Sequence, residues 1–260
     1  MNKLDLFLPA IALIYLMSCT QRTPPDKDVT VKRWYYEDGT LKKVQEYKDS
    51  IEQGKYLYYY PSGVLQDSAY VINGRFHGKR YEYHENGNLY ILTNYINNKY
   101  RNAIDYRKDG TLEYYRAYNY AKELMYIIHY DSSGKPIKYD GDIIYSWVQE
   151  ESYPVGKVFS IELLVADPPH CKTEVTVSDW DIKTNRAISE AKYNPDQFNR
   201  VNYTRKQIPE KDLYILNVAY IRDSITQATI TDTLVIMVYK DGKSSYTREL
   251  SKQGTFYPNL

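Results

Sequence analysis

The chain has 260 residues, which is long enough for one large domain or two smaller ones with buried cores. Its 34 Lys and Arg residues balance 33 Asp and Glu residues, so we expect no nucleic-acid partner, because such binding needs a surplus of positive charge. Tyrosine is abundant, with 31 copies against 5 Phe and 3 Trp. Since a Tyr ring has an apolar body and a polar end, this composition favours β-sheet with much exposed surface.

The first residues are typical of an export signal. An early lysine precedes a mostly apolar run over 6–17, which is too short for a transmembrane helix but fits a signal peptide. The tetrad LMSC at 16–19 resembles a bacterial lipobox, in which the cysteine becomes the lipidated first residue of the mature protein. We therefore predict a signal peptide over 1–18, lipid attachment at Cys19 and a polar tether over 19–31.

The same residues allow two other interpretations. An ordinary cleaved signal, or an apolar helix that anchors the chain, would leave the cysteine unmodified. Cys19 could then pair with Cys171 in an oxidising compartment. With lipid on Cys19, Cys171 has no disulfide partner within the chain. Because no acidic cluster follows Cys19, we expect a lipoprotein of the outer membrane that faces the periplasm, with surface display as the alternative.

Five turn signals recur over 32–150 at a nearly constant period. A tyrosine lies four residues before the glycine of each turn, and a leucine lies two residues after the glycine of the first four turns. A three-residue hairpin loop, made of a type I turn closed by a left-handed glycine, explains this spacing. The glycines are 24, 24, 23 and 24 residues apart, at Gly39, Gly63, Gly87, Gly110 and Gly134.

Such a loop places each tyrosine opposite a leucine across its hairpin, and we call these facing pairs the ladder. Pairs of this kind contribute roughly 0.2 to 1 kcal/mol each. The repeat therefore predicts an elongated antiparallel sheet of tandem β-hairpins with a period of about 24 residues. The expected pairs are Tyr35 with Leu41, Tyr59 with Leu65, Tyr83 with Leu89, and Tyr106 with Leu112.

The stretch INGRFHGKRYEYHENGNLY over 72–90 resembles the variant MORN (membrane occupation and recognition nexus) repeat. Units of that family couple a Gly-Lys turn to a Tyr-rich strand and to an Asn-Gly or Asp-Gly turn before a leucine. The resemblance extends over about 34–136. It implies an elongated antiparallel sheet that serves as a binding or spacing surface without catalysis. Some bacterial proteins with these repeats carry an antitoxin label. The predicted lipid-attachment signal argues against a cytoplasmic antitoxin in this case.

The second half of the chain changes character near residue 150. The periodic glycine ends there, and longer apolar or alternating runs such as KVFSIELLVA and LYILNVAYI begin. Their length and the polar loops between them predict a β-sandwich of immunoglobulin-like topology over 151–245, followed by a polar tail over 246–260. The whole chain is thus expected to be all-β, with its domain boundary near 150.

The sequence contains no motif for nucleophilic, metal-dependent or nucleotide-dependent catalysis. We therefore predict no catalytic residue, no metal site and no cofactor. One alternative remains in the second half, where Asp179, Trp180 and Asp181 could line a small-ligand or cation site at a sandwich loop, and an enzyme site could lie near Asp179 and Asp181. The same three residues could instead be a strand end with solvated carboxylates around a packed Trp.

The candidate binding residues lie beside the ladder tyrosines in the first three repeats. They are Trp34, Tyr36, Tyr58, Tyr60 and His84. Exposed aromatic side chains are enriched at recognition surfaces, although these rings could equally pack on a neighbouring strand or on the second domain.

We predict a non-enzymatic lipoprotein of the cell envelope that presents this Tyr-rich sheet to a protein or glycan. The alternatives are an enzyme or enzyme subunit with its site at the sandwich loops, and an antitoxin-like repeat protein.

Overall fold

The computed structural model describes residues 28–146, 153–208 and 210–247, which form nineteen β-strands and no helix. The all-β fold class is confirmed. The predicted signal peptide, Cys19 and most of the predicted tether and tail lie outside the described residues. Within the described ranges, no helix is long and apolar enough to span a membrane.

The repeats form one antiparallel sheet of eleven strands. Each strand pairs with its neighbours along the chain, except the two-residue β5, which pairs with β4 only. The sheet begins at Val29, inside the predicted tether. Its strands are β1 (Val29–Tyr35), β2 (Leu41–Lys48), β3 (Ile51–Tyr59), β4 (Leu65–Ile72), β5 (Arg75–Phe76), β6 (Gly78–Tyr83), β7 (Leu89–Ile96), β8 (Lys99–Tyr106), β9 (Leu112–Tyr118), β10 (Leu124–Tyr130) and β11 (Pro136–Gly141).

The strand register confirms the ladder. All four predicted Tyr–Leu pairs face each other, and Tyr130 faces Pro136 in the fifth hairpin. In the first loop, the Tyr36 N–H donates to the Thr40 carbonyl at 2.8 Å and the Gly39 N–H donates to the Tyr36 carbonyl at 3.0 Å. Gly39 has a φ of 85°, as the left-handed third position of such a loop requires.

Each of these hairpins also contains a β-bulge next to its ladder pair. In the first hairpin Trp34 faces Lys43 and Tyr35 faces Leu41, so that Lys42 is an extra residue on β2. The same shift occurs in the other four hairpins. Bulges bend a strand and increase its right-handed twist, so the repeat builds a regular twist into the sheet.

The second unit consists of two smaller antiparallel sheets. The chain moves from the repeat sheet to these sheets between Gly141 and Ile144, a few residues before the boundary expected near 150. One sheet has the order β12-β13-β16 and the other has the order β15-β14-β17-β18-β19. The strands are β12 (Ile144–Ser146), β13 (Val158–Val165), β14 (Cys171–Asp181), β15 (Arg186–Tyr193), β16 (Arg200–Lys206), β17 (Leu213–Asp223), β18 (Thr229–Val238) and β19 (Ser244–Thr247).

A single apolar core joins the second unit to the last repeats. Strands of both small sheets contribute to it, with Ile161 and Leu163 from β13 and Ile215 from β17 fully buried. The core continues onto the ladder face of the repeat sheet, where Tyr115 and Ile128 are buried in the same cluster. The second unit therefore covers the ladder face at the last repeats, whereas Tyr35 in the first repeat is 57% exposed.

Candidate binding face of the repeat sheet

The face opposite the ladder, which we call the outer face, carries one row of side chains across ten strands. Successive strand pairings place these residues side by side, because paired residues in a sheet point to the same face. This outer row is Trp34, Lys43, Tyr58, Asp67, Glu82, Ile91, Asp105, Tyr114, His129 and Lys138.

Two of the five predicted binding residues, Trp34 and Tyr58, lie in the outer row on either side of Lys43. The Lys43 ammonium lies 5.0 Å from the centre of the Trp34 ring and 5.1 Å from that of Tyr56. It also lies 3.7 Å from a carboxylate oxygen of Glu52. Lysine heads therefore occupy part of the aromatic surface at the first repeats through cation–π contacts.

The other three predicted residues, Tyr36, Tyr60 and His84, lie just beyond a strand end, where each hairpin turns. Each of their side chains reaches the next hairpin and bonds to the main-chain carbonyl of its ladder tyrosine. Arg107 does the same in the fourth repeat, and we call these four residues the staples. The bonds join Tyr36 to Tyr59 at 2.6 Å, Tyr60 to Tyr83 at 2.8 Å, His84 to Tyr106 at 3.1 Å and Arg107 to Tyr130 at 2.6 Å.

The staple position is occupied by tyrosine, histidine or arginine, and each of these side chains makes the same bond to the next hairpin. A carbonyl oxygen only accepts hydrogen bonds, so His84 makes this contact with a proton on Nε2. The Tyr36 hydroxyl also meets the side chain of Tyr58, and the pKa of Tyr36 is raised by desolvation and by that hydrogen bond. The structure therefore brings Tyr36 and Tyr58 together, places Trp34 two strands from Tyr58 with Lys43 between them, and places Tyr60 and His84 farther along the sheet.

A chain of aromatic rings runs along the outer face near the strand ends that lie away from the five glycine loops. Its contacts are edge-to-face or tilted, with ring centres 4.6 to 6.2 Å apart, which is the favourable range for aromatic pairs. The rings belong to Tyr56, Phe76, Tyr95, Tyr100 and Tyr118. These rings pack on each other, and the cationic groups of Lys43 and Arg80 lie over the rings of Tyr56 and Phe76.

Two buried carboxylates on the outer face are each held by an arginine on a neighbouring strand. Arg80 binds Asp67 through Nε at 3.1 Å and through Nη2 at 2.6 Å. Arg116 binds Asp105 through Nε at 2.9 Å and through Nη2 at 2.6 Å. Burial raises the pKa of Asp105, and the positive charge of Arg116 opposes that rise. The charges are thus paired within the sheet.

A groove of about 510 Å³ opens on the outer face between the third and fifth repeats. Its lining includes Tyr90 and Tyr114, the apolar side chains of Ile91 and Ile127, and the Asp105–Arg116 pair. Tyr90 is the bulge residue of β7 and is 43% exposed. Of the predicted residues, His84 adjoins this groove, because its ring centre lies 4.6 Å from that of Tyr90.

Sequence reasoning had not selected the residues that line this groove. Asp105 was visible as a neighbour of a ladder tyrosine, but its arginine partner lies eleven residues along the chain. A signal for Tyr90 was also present, since it follows a ladder leucine directly.

The residues proposed for an enzyme site in the second unit are engaged in local bonds. The Asp179 carboxylate accepts hydrogen bonds from Arg205 Nε at 2.6 Å and from the Ser189 hydroxyl at 2.9 Å. Asp181 caps the following turn by accepting from the Lys183 N–H at 2.8 Å, and this bond lowers the pKa of Asp181. In the described part of the chain, no three His, Cys, Asp or Glu side chains are grouped so that they could hold a metal ion.

The sequence of the first three repeats is similar to a known repeat. Residues 31–49, 52–73 and 76–97 match the family model of the MORN repeat variant. A search of curated proteins finds no match to the chain. The hairpins at Gly110 and Gly134 lie beyond the matched residues and have the same ladder register and bulge. MORN repeats are generally modules for interaction with proteins or membranes, so the match is compatible with a non-enzymatic binding role.

Proposed function

We propose that this chain is a non-enzymatic binding protein of the cell envelope and that the outer face of its MORN-repeat sheet contacts the partner. One observation carries the proposal. The second unit packs on the ladder face of the last repeats, and the groove opens on the opposite face of those same strands. The second unit thus braces the sheet from behind the surface that receives the partner.

We assign the second unit, which forms this brace, an immunoglobulin-like topology. The strand orders β12-β13-β16 and β15-β14-β17-β18 support this assignment, because the chain crosses between the two sheets after β13, β15 and β16. Crossings of this kind are typical of Greek-key sandwiches.

A lipid on Cys19 attaches the protein to the outer membrane. The apolar run over 6–17 and the tetrad at 16–19 support this assignment. The test is the intact mass of protein from the membrane fraction, with Cys19→Ala as the comparison. We expect a chain that begins at Cys19 and carries acyl mass. An unmodified full-length chain in the soluble fraction would contradict the envelope assignment.

For the test of the binding role, the protein purified from the membrane fraction is immobilised and exposed to an envelope extract from the cells that produce it naturally. The amount of retained material is compared for the wild type, for Tyr90→Ala with Tyr114→Ala, and for Tyr70→Ala. Tyr70 is the matched control, because it is 46% exposed and lies on the ladder face of the same sheet. We call the protein with both Tyr90→Ala and Tyr114→Ala the outer-face variant. We expect this variant to retain less material than the wild type, and Tyr70→Ala to retain as much as the wild type. Equal retention by all three proteins would contradict a binding role of the outer face.

A further inference from the structure

The groove on the outer face has the volume of a small-ligand site and is open to solvent. Its volume of about 510 Å³ lies within the roughly 300–1,000 Å³ of ligand pockets. Tyr90 and Tyr114 present two aromatic rings, and Ile91 and Ile127 present apolar surface beside them. The groove is open along the sheet, which suits an extended chain molecule better than a compact one that must be enclosed.

The two rings are held in place by histidines on neighbouring strands or turns. His84 packs against Tyr90 with ring centres 4.6 Å apart, and His129 meets Tyr114 edge to face at 5.1 Å. A ring that is already fixed loses little conformational freedom when a ligand stacks on it. The aromatic surface of the groove is therefore preorganised.

The polar part of the groove is one rigid ion pair. Arg116 holds both oxygens of Asp105 in a bidentate arrangement. Asp105 is buried, whereas the Arg116 side chain is 32% exposed and also meets the side chain of Tyr118. A guanidinium has five N–H donors, so Arg116 retains donors for a ligand in the groove. A fixed donor beside two aromatic rings matches a ligand whose ring faces are apolar and whose edges bear hydroxyl groups.

The charge of the groove selects against anions. Asp105 and Arg116 neutralise each other, and Glu113 adds one negative charge to the lining. This negative charge would repel phosphate groups, carboxylated sugars and anionic lipid headgroups. The only cationic residue that the described part of the chain places in the lining, Arg116, is already paired with Asp105. We propose that the groove binds a neutral oligosaccharide, which stacks on Tyr90 and Tyr114 and bonds through its hydroxyls to Arg116, while Asp105 holds that guanidinium in place; this inference rests on the proposed binding function.

The test is isothermal titration calorimetry of the protein purified from the membrane fraction in a polyoxyethylene detergent, which has no sugar headgroup. The probes are the neutral hexasaccharides of cellulose, starch, β-1,3-glucan, mannan and chitin. Hexagalacturonate and glycerol 3-phosphate, a soluble counterpart of an anionic lipid headgroup, are the anionic comparators. The variants are Tyr90→Ala, Tyr114→Ala and the matched control Tyr70→Ala, each checked for folding by circular dichroism.

We expect at least one neutral hexasaccharide to bind and neither anionic probe to do so. Tyr90→Ala and Tyr114→Ala should each weaken binding about tenfold, which corresponds to about 1.4 kcal/mol, whereas Tyr70→Ala should leave it unchanged. Tyr90→Phe keeps the ring and should retain most of the affinity. Binding of the anionic probes alone, or no binding by any neutral hexasaccharide, would overturn the inference.

The two proposals fail in different ways. If the outer-face variant retains less of the envelope extract than the wild type but no neutral hexasaccharide binds, the binding function stands and the oligosaccharide assignment is wrong. If a hexasaccharide binds and Tyr70→Ala weakens it as much as Tyr90→Ala does, the groove is not the site. If the outer-face variant retains as much of the extract as the wild type and no probe binds, both proposals fail.

Discussion

Asn199 of the second unit donates a hydrogen bond from Nδ2 to the hydroxyl of Tyr115 in the repeat sheet, 3.0 Å away. The same hydroxyl accepts from the Asp167 N–H at 2.7 Å. On its other side, Asn199 accepts from Asn102, which in turn accepts from Asn94 at 2.6 Å. A buried polar chain therefore links the two units in addition to their shared apolar core.

Tyr115→Phe should destabilise the junction between the units. The change removes the acceptor for two buried donors, and each unpaired buried donor costs about 1–3 kcal/mol. We expect a lower urea midpoint and a loss of roughly 2 kcal/mol or more in the free energy of unfolding. Tyr70→Phe, at an exposed position of the same sheet, is the control and should change neither value. A Tyr115→Phe protein as stable as the wild type would show that the polar chain does not hold the units together.

The staples predict a pattern of tolerated substitutions at residue 60. Tyr60→Phe removes the hydroxyl that donates to the Tyr83 carbonyl, and the expected loss is about 1 kcal/mol. Tyr60→His should keep most of the stability, because a histidine makes the equivalent bond at residue 84. The measurement is the free energy of unfolding in urea. Equal stability of the Phe and His variants would contradict an inter-repeat role for this bond.

These contacts also show which parts of the structure could be read from the sequence. The Tyr–Leu ladder was predictable because the glycine of each loop fixes a register that is local to one hairpin. The role of Tyr36 was not, because β1 ends at Tyr35 and the alternation of faces no longer applies at the turn. The groove depends on which face the second unit covers, and no local pattern in the repeats records that choice.

The buried tyrosines predict a loss of stability at alkaline pH. Burial raises the pKa of Tyr126 and Tyr130, and it raises the pKa of Cys171 to about 12. Since the folded chain holds these protons more tightly, the unfolded chain loses them first as the pH rises. The free energy of unfolding should therefore fall from about pH 8.5, where an ordinary cysteine ionises, and more steeply above about pH 10, where an ordinary tyrosine does.

Tyr126→Phe isolates one of these groups. The Tyr126 hydroxyl is buried and has no hydrogen-bond partner among the described residues, so its removal should leave stability at pH 7 unchanged or higher. Above about pH 10, the variant should lose about 1.4 kcal/mol less per pH unit than the wild type. Urea denaturation at pH 7, 9, 10 and 11 measures both effects. Parallel pH profiles for the two proteins would contradict the burial of an ionisable hydroxyl at this position.

The same substitution should cost unequal amounts of stability at two glycines, one just before β11 and one at its end. Gly134 and Gly141 both have positive φ, at 78° and 91°, so Ala at either should cost about 1–2 kcal/mol of backbone strain. At Gly134 the space beside the missing Cβ is open, whereas at Gly141 a Cβ would meet the main-chain carbonyl of Met125. That carbonyl accepts from the Asp142 N–H at 2.8 Å and is held in place.

Gly141→Ala should therefore lower the free energy of unfolding at least twice as much as Gly134→Ala does. It should also loosen the end of the repeat sheet, where the chain passes to the second unit, so amide hydrogen exchange in β10 and β11 should increase. Gly134→Ala acts as the matched control for backbone strain alone. Equal losses from the two substitutions would mean that Met125 moves aside without cost and that the close approach at Gly141 does not fix the junction.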